Sequence, residues 1–90
     1  MTGRQKRTAL DAIADSRGLH LVVADGFDEA ILGISERAGE VPAVVYDRAK
    51  AVAILMGRGL SLEEAAEHFS FNVSGAYVGE ATPIWLEAIP

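Results

Sequence analysis

The tetrad Ser61-Leu62-Glu63-Glu64 constrains this chain more than any other stretch. A serine followed three residues later by a glutamate is the capping-box pattern, in which each side chain satisfies a backbone N–H at a helix start. The apolar residues Leu62, Ala66, Phe69, Val73 and Tyr77 then recur at spacings of 4, 3, 4 and 4, one stripe along an α-helix. The pattern predicts a helix running through Asn72, with Tyr77 as its far limit and Gly75 tolerated inside it. Gly79 ends it. Thr82-Pro83 then forces an extended exit into Ile84-Trp85-Leu86, because the residue before a proline is pushed out of the helical region.

The upstream sequence alternates between helix and strand signals. Thr8–Arg17 suits a short helix with Leu10, Ile13 and the alanines on one side, and Gly18 is its natural stop. Leu19–Ala24 is a β-branched apolar run expected to be a strand, turned by Asp25-Gly26. Ala30–Glu36 and Pro42–Tyr46 read as two further strands joined in an antiparallel hairpin through a short loop containing Gly39. Pro42 cannot donate to a ladder, which places it at a strand start or an edge. Asp47 can cap a helix over Arg48–Met56, with Gly57 and Gly59 as the stop. The expected fold class is α+β: a small, mainly antiparallel sheet of about three strands packed against two to three helices.

No repeat, low-complexity tract or linker interrupts the 90 residues, so a single domain spanning 1–90 is expected, with residues 1–7 as a flexible basic arm. A chain of this size buries only about 60–65% of the surface its unfolded form exposes. Its core is therefore thin, and homo-oligomerisation is a natural way to bury more. The sequence contains no cysteine, which removes disulfides, thiolate metal sites and a cysteine nucleophile. No apolar h-region follows the basic N-terminus, and the longest apolar run falls far short of a membrane span. A cytoplasmic address with no membrane partner is the expectation.

Charge is distributed unevenly. All eight Lys and Arg lie at or before Arg58, where eight acids match them; beyond it come only Glu63, Glu64, Glu67, Glu80 and Glu87. The net charge of −5 thus resides in the last third. Such a segment repels phosphates and suits a basic protein surface, although a solvated acidic helix face has the same composition.

Candidate chemistry is sparse. The acids of Asp25-Gly-Phe-Asp28-Glu29 lack the ligand spacing of a calcium loop and read as a solvated turn. His20 and His68 fall in different elements, without the i,i+4 or carboxylate pattern of a metal pair. Glu64 and His68, one turn apart, are expected to touch. Gly57-Arg58-Gly59 before a capped helix has a faint phosphate-loop character, but Glu63 and Glu64 occupy the turn where phosphate would sit. Arg4, Lys6 and Arg7 promise only weak, salt-sensitive contact with nucleic acid, so no direct nucleic-acid partner is expected. Neither a catalytic set, a metal nor a cofactor is expected.

The segments DGFDEAILGI, VVYDRAKAVAIL and SLEEAAEHFSFNVSGAYVGEATPIW carry a resemblance. From about Asp25 to Trp85, two-thirds of its length, the chain resembles a group of small phage and prophage proteins. The block FN..GAYVGE.TP is the most specific part of the match. No enzymatic activity attaches to that group. The resemblance implies stoichiometric binding of host machinery, inhibition of a CRISPR–Cas effector included.

Two functions follow as expectations. The first is a non-enzymatic inhibitor that covers the basic surface of a host defence protein, such as a CRISPR–Cas subunit. Glu63, Glu64, Glu67 and Glu80 would supply charge, and Tyr77 and Trp85 apolar anchors. The alternative is a module for a small ligand or signalling nucleotide, oligomeric, with its pocket between protomers.

Overall fold

The computed structural model describes residues 1–90 as three α-helices and a three-stranded sheet. Helix α1 covers Gly3–Arg17. Thr2 caps it in a second capping box, its hydroxyl accepting from the Gln5 amide while Gln5 Oε1 accepts from the Thr2 amide. The basic segment expected to be a flexible arm is therefore the first turns of a helix. That box answers the start signal Thr2-x-x-Gln5, a Thr/Gln form of the pattern at Ser61. Gly18, left-handed at φ 64°, closes the other end.

The run Leu19–Ala24 forms no strand. This apolar segment packs Leu21, Val23 and Ala24 on the core instead. Tertiary context overrides β-propensity here. Its backbone is tied down by the Ala24 amide, which donates to Tyr46 Oη at 2.8 Å.

A 3-10 turn at Asp28–Ala30 leads into β1, Ile31–Ile34, which pairs antiparallel with β2, Val44–Asp47. The expected hairpin is present, with shorter strands and a register shift between Ile31 and Gly33. β3, Ile84–Leu86, lies on the other side of β2 and runs parallel to it. The sheet is thus mixed, because the chain returns through two helices and must cross over. Helix α2, Arg48–Gly57, starts at the predicted Asp47 cap. Helix α3, Leu62–His68, starts at the predicted box: the Glu64 amide donates to Ser61 Oγ at 3.1 Å, and the Ser61 amide to Glu64 Oε1 at 2.9 Å.

α3 stops short of the expected length. A single π-helical turn, Phe69–Val73, follows it, closed by Ser74 N–H donating to Phe69 O at 2.8 Å. The wider turn rotates everything after it. Ala65 and Phe69 are buried and Val73 packs on the core, whereas Leu62 and Tyr77 at the ends of the predicted stripe are exposed. Gly75 closes the turn: a Cβ there would lie 2.9 Å from Ser70 O.

Four aromatic rings form the centre of the core. Trp85 stacks on Tyr46 at 4.8 Å between centroids and meets Phe69 and Phe27 edge-on at 5.0 and 5.7 Å. Aliphatic side chains from α1, β1, β2 and α2 surround them.

Candidate functional site

The acidic end of the molecule begins at α3. The capping box fixes the start of this helix, which presents Glu63 and Glu67 outward one turn apart. Like charges at i,i+4 repel and weaken a helix. Neither carboxylate pairs with a cation: the four ion pairs are Arg7–Asp11, Arg7–Asp28, Arg37–Glu40 and Arg48–Glu87. Glu63 and Glu67 are thus free for an outside partner.

Glu64 is placed differently. Its carboxylate accepts from the Ser61 amide, and these Ser61 hydrogen bonds hold it below the usual carboxylate range. It serves the helix start while remaining exposed at the surface. It does not touch His68. The imidazole Nδ1 of that residue lies 3.4 Å from Asn72 Nδ2 instead.

Tyr77 and Glu80 come together at the corner after the π turn. Thr82 fastens this corner, its hydroxyl donating to Gly79 O at 2.6 Å and accepting from the Val78 amide at 2.9 Å. The hairpin loop supplies the facing wall, Glu40 and Val41, of a depression of about 370 Å³ that Tyr77 and Glu80 also line. Tyr77 is 78% exposed and Phe71, on the π turn, 76%. Phe71 escaped the sequence reading because it lies off the helical stripe. Its only signal is that a phenylalanine two residues after core Phe69 cannot share its helix face.

Trp85 is not part of this surface. Its ring is half-buried and packs against three others, and its remaining surface lines a separate apolar cleft with Val22, Val78 and Pro83. Its place on β3 opposite Tyr46 explains why: paired residues of adjacent strands point to the same sheet face, here the core face. The opposite face of that strand carries Ile84 and Leu86, both more than 40% exposed, beside Val45.

No cluster of three or more His, Cys, Asp or Glu side chains is arranged to hold a metal ion. No helix is long and apolar enough to cross a membrane. No protein-family model, curated protein or solved structure matches the chain.

Proposed function

We propose that the protein is a non-enzymatic binder that inhibits a host defence complex, in its most concrete form a CRISPR–Cas effector, by covering a basic surface. The observation that carries this reading is the unpaired Glu63/Glu67 pair on α3, set in a chain segment that holds no Lys or Arg at all and also exposes Phe71 and Tyr77. A helix that keeps two repelling carboxylates at i,i+4 loses a few tenths of a kcal/mol. Contact with a Lys- or Arg-rich surface more than recovers that loss and is steered by charge. The aromatic side chains supply the apolar contact that charge alone does not provide.

The test is titration into a panel of purified CRISPR–Cas effectors, with target DNA cleavage as the readout. Inhibition is expected at stoichiometric amounts, to weaken as salt rises, and to fall by tenfold or more in the Glu63→Lys/Glu67→Lys variant. Glu64 is left intact because it holds the helix start. Unimpaired cleavage across the panel would overturn the reading, and inhibition insensitive to both salt and charge reversal would overturn its electrostatic part.

The same reading includes self-association through the outer sheet face, where Ile84 and Leu86 stand exposed. Contiguous apolar surface of this kind marks an interaction site more often than bare solvent contact.

A further inference from the structure

Half of the molecule's cations meet in one place. Helices α1 and α2 both pack on the 3-10 turn and leave an open cleft of about 930 Å³ whose walls include Arg4, Arg7, Lys50 and Arg58. The chain as a whole is acidic. Of these four, Arg7 is committed: it pairs with Asp11 at 3.2 Å and faces Asp28 at 3.5 Å, contacts that hold its guanidinium proton more tightly than usual. Arg4, Lys50 and Arg58 have no carboxylate within 4.0 Å. Three cations without an ion-pair partner, one from α1 and two from α2 and its C-terminal cap, thus line one concavity.

The cleft is built by local sequence. Lys50, Ala53, Ile54 and Gly57 form one stripe of α2, and the small Ala53 and Gly57 keep its floor low. Arg58 is fixed in advance: its guanidinium lies over the Phe27 ring at 5.4 Å and donates to Gly26 O at 3.3 Å. Gly26, at φ 90°, admits this arrangement, since a Cβ there would come within 2.5 Å of Arg58 Nη2. Gly3 does the same on the other wall, where a Cβ would lie 2.9 Å from the Glu29 backbone nitrogen. The wall also holds the carboxylates of Glu29 and of Asp28, whose Oδ1 is shut from solvent and faced by Arg7 Nη1 at 3.5 Å.

We propose that this cleft binds a nucleotide-class ligand, with its phosphate oxyanions held by Arg4, Lys50 and Arg58 and the rest of the ligand filling a cleft far larger than a phosphate group. Guanidinium forks and a lysine ammonium are the groups that recognise phosphate. The cleft volume falls in the range of small-molecule sites. The site lies within a single chain, not between protomers, and is independent of the acidic face on α3. The Arg58 that a phosphate loop would aim at the start of α3 is turned the other way, towards Gly26.

The experiment is a titration of isotopically labelled protein at low salt with ADP, pyrophosphate and ribose 5-phosphate, followed by amide NMR. ADP is expected to shift the Gly3, Gly26 and Gly57 amides most, and to bind more tightly than either fragment. The Arg4→Ala/Lys50→Ala variant, which removes no internal side-chain bond, is expected to lose about tenfold or more in affinity. Arg17→Ala, a cation outside the cleft, is expected to retain it. If pyrophosphate binds as tightly as ADP, the nucleotide part of the proposal fails and a bare polyphosphate site replaces it. Absence of shifts, equal losses in the Arg17 variant, or a single-stranded oligonucleotide binding more tightly than ADP would overturn the proposal.

Discussion

Tyr46 shows what one side chain holds together. Its ring is fully buried and stacks on Trp85, and its hydroxyl is the acceptor that satisfies the Ala24 amide in a segment without ladder bonds. Tyr46→Phe keeps the ring and orphans that N–H, with an expected loss of about 1–3 kcal/mol in urea unfolding. Burial raises the phenol's pKa, and the Ala24 bond, which favours the phenolate, offsets this only in part. The folded state therefore holds this proton more tightly than the unfolded chain. That stabilisation is complete below the ordinary tyrosine value of about 10 and declines as pH rises through the higher folded value. The Phe variant is expected to show a shallower alkaline loss in the same measurement. Nothing in the sequence distinguishes Tyr46 from the exposed Tyr77, because the difference lies in which strand pairs with β3.

Among the elements, the starts of α2 and α3 were legible, whereas α1 begins five residues before its expected start and α3 ends short of its expected length. Asp47 and Ser61 cap as their patterns require, because a cap is a bond between residues three apart and depends on little else. Ser61→Ala is expected to cost about 1 kcal/mol in thermal or urea unfolding, with the loss of helix signal concentrated in α3. The Glu64 carboxylate, held below its ordinary range, contributes stability that is present above the unfolded value of about 4.3 and is lost as pH falls through the folded one. Glu64→Gln keeps the acceptor and removes the titration, so its acid unfolding curve is expected to be flatter than the wild type's. The π turn was invisible beforehand: a 4-residue spacing from Phe69 to Val73 fits both an α-helix and the wider turn. The strand expected at Leu19–Ala24 is absent because its apolar side chains pack on the core without ladder pairing, which propensity does not register.

For the whole molecule, α+β with a three-stranded sheet could be read from the order of elements, but its mixed pairing could not. The candidate site divides likewise. Glu63 and Glu67 were legible as an acidic face, whereas the cationic cleft brings Arg4 of α1 against Lys50 and Arg58 from a helix more than 40 residues later. Only 13 of 90 residues are buried although half the sequence is apolar, so much apolar surface remains outside. Sedimentation velocity is expected to show a concentration-dependent dimer, and Ile84→Lys/Leu86→Lys to return it to monomer without loss of fold. A monomer at all concentrations would remove the outer sheet face as a contact.

The aromatic centre has a consequence for how this chain comes into being. Its rings stand at positions 27, 46, 69 and 85, almost from one end of the sequence to the other. As the ribosome extends the chain, α1, the hairpin and α2 emerge in turn, all ahead of the tryptophan against which the other three rings pack. Domains fold as units, and this one has no earlier unit to settle into. Until residue 85 clears the exit tunnel, Phe27, Tyr46 and Phe69 remain without the ring that unites them. The nascent chain thus leaves part of these rings' surface uncovered until Trp85 emerges, within reach of chaperones and proteases.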